Sequence, residues 1–399
     1  MIGLSPLNSA VAKRKFEGNA NYSFKSKTSR KSTSCTVYGS AFSPTLSGKT
    51  YIVACTSNGL VCVWDSKDAS SEPTIRVKAS TVDEVLYDVQ FIENSGDALL
   101  VVSGDPGILV YKWSAFLNAM ESHIIDGNVV LEPITKFKPH PSPFKEPVEI
   151  NCISYNADGN MLYGASGDAF GCYQWDLISE KLVGTFGGRG ESIGHYDYLH
   201  DVMSINNNLV LTAGEDGTIA FWDSKEKQLI QKIDVQDSLN KHKNSVIWQI
   251  QNRGFGSTQN LSNANLWVSS MDRKGDWLVA VGGSESGNTM SLFSGSTTAG
   301  FMTSWHLPTR TFNSGCVTRE SYNAVTYNPN LDSFVSGGND GQVTFWDSTS
   351  GKSAGRSGCS PSMIYALSCN TDQNMMSVGG TGGSLNCFID RVKASNFTT

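Results

Sequence analysis

The chain has 399 residues, 39% of them hydrophobic, and a formal net charge of −6. No apolar run approaches the ~20 residues that a membrane-spanning helix needs, so the composition reads as a soluble globular protein. Nine scattered cysteines, an odd number with no Cys-x-x-Cys pair, argue for buried thiols in a reducing compartment and against a disulfide framework.

The first segment is basic. Residues 1–36 hold Lys13, Arg14, Lys15, Lys25, Lys27, Arg30 and Lys31 against Glu17, a balance of +6 that leaves −12 for the rest. The Ser/Thr-rich run KSKTSRKSTS has no core-forming pattern, so residues 1–34 are expected to be a mostly disordered arm. The weakly apolar start precedes the charges, the reverse of a signal peptide. The two basic groups resemble a two-part nuclear localisation signal. A solvated tail is the bland alternative, and contact with phosphate or RNA a third.

From residue 35 onward one turn-plus-strand phrase recurs. It reads SNGLVCVWD at 57–65, GDPGILVYK at 104–112, GDAFGCYQWD at 167–176 with one extra residue, EDGTIAFWD at 215–223, AGFMTSWH at 299–306, NDGQVTFWD at 339–347 and TGGSLNCFI at 381–389. Alternation within each copy predicts a strand, and puts Ile219 and Phe221 on one face. The Asp-Gly and Asn-Gly pairs suit a two-residue hairpin with positive φ angles. Upstream of each copy lie two more apolar runs, and a fourth follows. The position held by Trp64, Tyr111, Trp175, Trp222, Trp305, Trp346 and Phe388 recurs at spacings of 47, 64, 47, 83, 41 and 42 residues. A base period of ~40–45 residues is that of WD40 repeats, which the phrases resemble. The expectation is an all-β fold: a single seven-bladed WD40 β-propeller over residues 35–390, with a tail at 391–399.

The long spacings hold insertions. Residues 115–147 begin with a short helical piece, Ala115 to Met120, and are too long for an ordinary blade connection. They read equally as a docking element, with Phe116 and Met120 as contacts, or as a packed surface strap. The 83-residue gap contains two polar, Gly-rich loops, 251–264 and 284–300, rather than an eighth blade. Met290, Leu292 and Phe293 in the second loop are candidate partner contacts. By its pattern the last unit ends near Ile389 without a fourth strand. Residues 21–24 of the arm are expected to supply it and so close the ring, because an open edge leaves backbone groups unpaired.

Fragments that look chemical do not assemble into a site. Ser47-Gly48-Lys49-Thr50 lacks the first glycine of a phosphate loop and joins two strands. Gly187 to Gly190 has no βαβ context. His195 and His200 fall on opposite sides of an extended segment and cannot share a metal. Gly282 to Ser286 lacks the spacing of a nucleophile elbow. No catalytic set, cofactor site or metal site is expected, and no small-molecule substrate.

The WD40 resemblance implies roles for single residues. His195, Thr212, Asp216 and Trp222 match the buried hydrogen-bonded chain that locks a blade, and Asp340, Trp346 and Trp64 match parts of it. Beyond the repeat, GDALLVVSGDPGILVYKW (96–113), EPVEINCISY (146–155), GHYDYLHDVMSINNNLVLTAGEDGTIAFWD (194–223) and the pair KGDWLVAVGG (274–283) and SWHLPTRT (304–311) are similar to the THO complex subunit 6 family. Trp113 after Tyr111, and Trp305-His306 in place of Trp-Asp, agree with that family. The basic arm and the 284–300 loop depart from it. The resemblance implies a nuclear, non-catalytic scaffold that contacts large helical THO subunits, works in mRNA processing and export, and meets RNA only indirectly. Two alternatives stand beside it: a scaffold in another complex, and a substrate receptor of a cullin-type ubiquitin ligase. The second would favour Trp-Asp-x-Arg, where this chain has Lys67, Lys225 and Thr349.

Overall fold

Each repeated phrase becomes a strand buried on both faces, and that burial dictates the architecture. A computed structural model describes residues 35–68, 72–79, 84–93, 96–122, 129–139, 148–242, 244, 246–248, 264–286 and 298–399. These residues form a seven-bladed β-propeller, each blade built on four antiparallel strands that follow one another in the chain except in blade 2, whose fourth strand, Thr135–Phe137, comes after an intervening helix and a strand that joins blade 1. Blades 1 to 4 begin with the inner strands Val37–Phe42, Leu86–Ile92, Cys152–Asn156 and Leu199–Asn206. Blades 5 to 7 begin with Ala264–Lys274, Tyr322–Asn328 and Ile364–Asn370. The third strands, Leu60–Asp65, Gly107–Lys112, Gly171–Asp176, Thr218–Asp223, Thr298–His306, Gln342–Asp347 and Ser384–Ile389, carry the seven aromatic positions of the repeat.

Alternation along the third strand sends its side chains to the two neighbouring blades. In blade 4, Ile219 and Phe221 join Leu266, Val268 and Trp305 of blade 5. Ala220 and Trp222 join Tyr163, Cys172 and Phe186 of blade 3. The same division repeats round the ring, so each blade junction is a hydrophobic core in its own right. Fully burying a side chain of this size contributes about 1.5–3 kcal/mol, and a one-residue slip would reverse both faces at once.

The hairpin turns differ from the two-residue form. Gly59, Gly217 and Gly341 are left-handed, at φ 76, 71 and 65, but the preceding Asn58, Asp216 and Asp340 are not. Only one position per turn needs glycine, as in hairpins that end on a left-handed bulge residue. At Gly217 a Cβ would also lie 2.7 Å from the Leu266 carbonyl oxygen of blade 5.

The ring closes differently from the expectation. Residues 392–398 are not a tail: Val392–Thr398 is the fourth strand of blade 7, paired with Ser384–Ile389 through Leu385↔Phe397 and Cys387↔Ser395. Blade 7 is therefore complete, and no strand from residues 21–24, which lie outside the described residues, is needed there. Among the described residues blade 1 starts at its own inner strand, and no strand interlocks the seam between blades 7 and 1. Side chains and one backbone bridge hold it. Trp64 packs on Phe397 at 5.8 Å, within a cluster that includes Val37, Ile52, Ala366 and Leu385. Ser40 and Ser377 hydroxyls meet at 2.8 Å, Gln373 Nε2 donates to Thr50 Oγ1 at 2.7 Å, and Thr36 bridges Thr381.

Both described insertions turn back onto outer blade edges. The helix Trp113–Glu121 is one turn longer than the short piece expected, and it leads to Val129–Val130, which pairs in parallel with Ile75–Lys78 of blade 1. The helix Val235–Lys241, capped by the Asp234 side chain accepting from Asp237 N, leads to Val246–Trp248 along Thr311–Thr318 of blade 5. These added strands cover edges that would otherwise expose backbone donors and acceptors. The polar loop expected at 284–300 is shorter than that, since strands extend to Ser286 and resume at Thr298.

Inner strands are stitched by carboxylates. Asp88 accepts from Ile153 N at 3.0 Å, Asp201 from Met271 N at 2.5 Å and Asp272 from Tyr327 N at 2.6 Å, each bond crossing to the next blade. Burial outweighs these amide bonds and pushes Asp88 up to about 6 and Asp201 up to about 7, with Asp272 raised as well. An unfolded aspartate titrates near 3.9, so between pH 4 and 7 the native state holds protons that the unfolded chain has released. Stability then rises as pH falls through 7 and 6, by on the order of a few kcal/mol. Melting temperature should be higher at pH 5.5 than at pH 8, then fall below pH 4 as Asp216, which is held low, protonates. A flat profile, or one rising from pH 5.5 to 8, would contradict this account.

Candidate interaction surface

Blade 4 contains a continuous buried hydrogen-bond relay. The Trp222 indole can only donate, and it gives its proton to Thr212 Oγ1 at 2.7 Å. Thr212 faces His195 Nε2 at 2.8 Å, and His195 Nδ1 faces Asp216 Oδ1 at 2.9 Å. The hydroxyl of Thr212 donates onward to Nε2, which leaves the ring proton on Nδ1, pointing at the carboxylate. Thr218 Oγ1 also donates to Asp216 at 2.7 Å, and Lys232 Nζ forms an ion pair with its second oxygen at 2.9 Å. Burial pushes Asp216 up, but the bonds from His195, Thr218 and Lys232 prevail and hold it well below the usual carboxylate range. The relay is thus a lock between the third strand and the loop before blade 4.

The other residues matched to that lock do other work. Trp346 donates to Ser336 Oγ at 2.8 Å, while Asp340 pairs instead with Arg356 and accepts from Gln342 N at 3.1 Å, so no relay joins the two. Among the described residues the Trp64 indole N–H has no hydrogen-bond partner, and the ring acts through packing at the seam. The Asp of each Trp-Asp pair caps the following turn: Asp65 accepts from Lys67 N at 2.9 Å, Asp223 from Lys225 N at 2.8 Å and Asp347 from Ser350 N at 2.7 Å.

Phe116 is not a partner contact. It is fully buried, stacked on Trp113 at 5.5 Å and edge-on to Tyr111 at 5.7 Å, and Met120 packs half-buried against the same core. The helix is an inward-facing strap. Met290, Leu292 and Phe293 lie outside the described residues, as do Lys13, Arg14, Lys15, Lys25, Lys27, Arg30 and Lys31. Among the described residues no group of His, Cys, Asp and Glu is placed to hold a metal ion, and no helix is long and apolar enough to cross a membrane.

The upper face, which carries the second-to-third-strand turns and the blade connections, holds two features that sequence reasoning missed. In six blades the inner strand has a register shift, near its start at Tyr38, Tyr87, His200, Asn323 and Tyr365 and at mid-strand at Ser269. A bulge re-aims the side chain it carries: Ser269 Oγ donates to the Tyr322 carbonyl of the next blade and Asn323 Nδ2 to that of Ile364. Tyr38 contacts Tyr87 at 5.6 Å and Tyr365 at 5.4 Å, and His200 pairs with Glu215 at 2.5 Å, far from any role shared with His195.

The second feature is an aromatic shelf over blades 3 and 4. Tyr196 is 70% exposed, Ile193 58% and Tyr198 42%. Phe170 lies 5.9 Å from Tyr198, with Arg189 over its ring at 5.2 Å, and Lys232 sits 4.9 Å above Tyr196. Tyr198 donates to Asp168, whose backbone N–H donates to Glu149 at 3.0 Å. Burial and the neighbouring Asp168 push Glu149 up to about 7. The signal was present in the extra residue of GDAFG and in the tyrosines either side of Asp197.

The family model described as WD domain, G-beta repeat matches residues 183–223 and 308–347. The first match begins in the outer strand of one blade and the second just before it, and each ends at the Trp-Asp of the next blade, so the sequence repeat is offset from the structural blade. THO complex subunit 6 homolog of Danio rerio is 28% identical over 262 residues, 63% of this chain and 66% of that protein. THO complex subunit 6 of Drosophila melanogaster is 28% identical over 80 residues, 20% of this chain and 21% of that one. Eukaryotic translation initiation factor 3 subunit I of Aspergillus oryzae is 30% identical over 82 residues, 21% of this chain and 23% of that one. The matched stretches therefore span less than two thirds of these relatives. With its repeats, its seven blades and these likenesses, the chain is a WD40-repeat protein that resembles THO complex subunit 6.

Proposed function

We propose that this protein is a non-catalytic scaffold subunit of a nuclear THO complex, supporting mRNA processing and export through contacts with other subunits. The observation that carries this reading is the similarity to the Danio rerio THO subunit 6 homolog, which extends over 262 residues. The match to the translation-factor subunit covers only 82 residues, about the length of two repeats. The fold supports the same reading. A ring of packed blades presents loops on a fixed frame, which lowers the ordering cost of binding several partners. Its partners are then the large helical THO subunits, with RNA associated indirectly. The basic residues Lys13 to Lys31 would serve nuclear targeting.

Affinity purification from nuclear extract, read by mass spectrometry, tests the reading. Recovery of the large THO subunits is the expected result. Recovery of a cullin adaptor, or of translation-factor subunits, without any THO subunit would overturn it.

A further inference from the structure

We infer that the aromatic shelf on blades 3 and 4 is a docking site for a basic, apolar-flanked segment of a protein partner. The inference deepens the scaffold reading, and rests on it for the partner being a protein subunit.

Exposure is the first observation. Ile193, Tyr196 and Tyr198 stand out within six residues of one connection, and clustered exposed apolar groups mark contact sites. Backbone strain is the second. Phe170 is left-handed, at φ 54, where the matching turns of blades 1, 4 and 6 place Gly59, Gly217 and Gly341. It is the one aromatic residue with positive φ among the described residues. An L side chain at such a position is strained, and strain of this kind gathers where a side chain must be presented. Here it puts the Phe170 ring beside Tyr198.

Rigidity is the third. Tyr198 packs closely on blade 3: a Cβ on Gly167 would sit 2.4 Å from its ring, so only glycine admits the ring there. His195, in the middle of the same connection, is tied into the buried relay, and Lys232 donates to the Gly194 carbonyl at 2.7 Å while lying over Tyr196. The lock of blade 4 thus holds the shelf in place, which makes His195 a positioning residue.

Charge complementarity selects the occupant. Glu149 and Asp168 line one side of the shelf, and Asp197 lies between its two tyrosines. Lys232 is already paired with Asp216. The propeller as a whole carries −12 once the arm is set aside. Arginine or lysine side chains stacked on tyrosine faces, with their charges towards these carboxylates, fit this surface.

The test uses the purified full chain and three fluorescein-labelled probes of twelve units: an alternating Leu-Arg peptide, an alternating Leu-Glu peptide and a single-stranded RNA. Fluorescence anisotropy should show binding of the Leu-Arg peptide alone, weakened about tenfold or more by Phe170→Gly and by Tyr196→Ala. Phe170→Gly should leave the melting temperature unchanged or raise it, because glycine relieves the left-handed strain. A purely structural Phe170 would instead lower stability without a separate effect on binding. Absence of Leu-Arg binding, equal binding of the Leu-Glu peptide or the RNA, or Leu-Arg binding that both variants leave intact would overturn the inference. The purification experiment is independent. Failure to recover THO subunits sinks the complex assignment and leaves the shelf standing. Recovery of THO subunits with a shelf that binds no basic peptide does the opposite.

Discussion

A chain ending at Asp390 will fail to complete its last blade, whereas a chain starting at Cys35 will melt at the same temperature as the full protein. The short C-terminal segment supplies the whole outer strand of blade 7. Its Phe397 is 1% exposed and packs on Trp64 of blade 1, so the truncation removes both a strand and a buried aromatic contact across the seam. Truncating a buried phenylalanine alone costs about 3–5 kcal/mol. Losing the strand adds the exposed edge of Ser384–Ile389. Total loss is then a large share of the 5–15 kcal/mol that a folded protein typically has. Phe397→Ala is the milder variant, and should still lower the denaturation midpoint clearly. Calorimetry on the two truncations and the point variant decides the matter. A stable 1–390 chain, or an unstable 35–399 chain, would show that the seam is held in another way.

His195→Ala should lower stability by about 1–3 kcal/mol, as expected for leaving the buried hydrogen-bonding groups on either side of the ring without a partner. It leaves Asp216 without its ring donor and Thr212 without an acceptor, although Thr218 and Lys232 still support the carboxylate. Thr212→Val should cost a similar amount, because it strands the Trp222 indole and His195 Nε2 together. The double variant should cost less than the sum of the two, since both break one relay. Asp340→Asn in blade 6 provides the contrast. That carboxylate pairs with a partly exposed Arg356 and joins no relay, so the loss should stay below about 1 kcal/mol. Chemical denaturation of the four variants measures all of these. Additive losses at His195 and Thr212, or an equal loss at Asp340, would mean that the relay is not the unit of stability.

The two cases divide what could be read from the chain from what could not. The relay was legible because its members sit at fixed offsets from Gly194 and Trp222 within one repeat. Its absence from blade 6 was half legible, since no histidine precedes that blade's inner strand. Asp340 looked like Asp216 all the same, and only the position of Arg356 on the next strand reassigned it. Trp64 shows the same limit. It has the right residue type in the right place, but its indole N–H finds no partner among the described residues and its ring serves the seam.

Exposure was harder to foresee than secondary structure. Phe116 and Met120 looked like contact residues because they lie in an insertion, yet the helix turns them onto the core of blades 1 and 2. Tyr196 and Tyr198 looked unremarkable because they flank the well-matched His195, yet they are the side chains left outside. A helix or loop in an insertion can face either way, and nothing within its own few residues decides which.

Local pattern alone determined that this chain makes seven blades. Strand alternation, glycine in each turn and an aromatic at a recurring place act within about forty residues, and neighbouring blades need nothing else to form. Only the tertiary structure decided how the ring closes, which edges its insertions cover and which aromatics face solvent. Ring closure depends on contacts between residues more than three hundred positions apart, such as Ser40 with Ser377 and Trp64 with Phe397, and the insertions pair beyond their own blade, as Val129 does with Val77 and Val246 with Gly315; no local pattern encodes contacts at such separations.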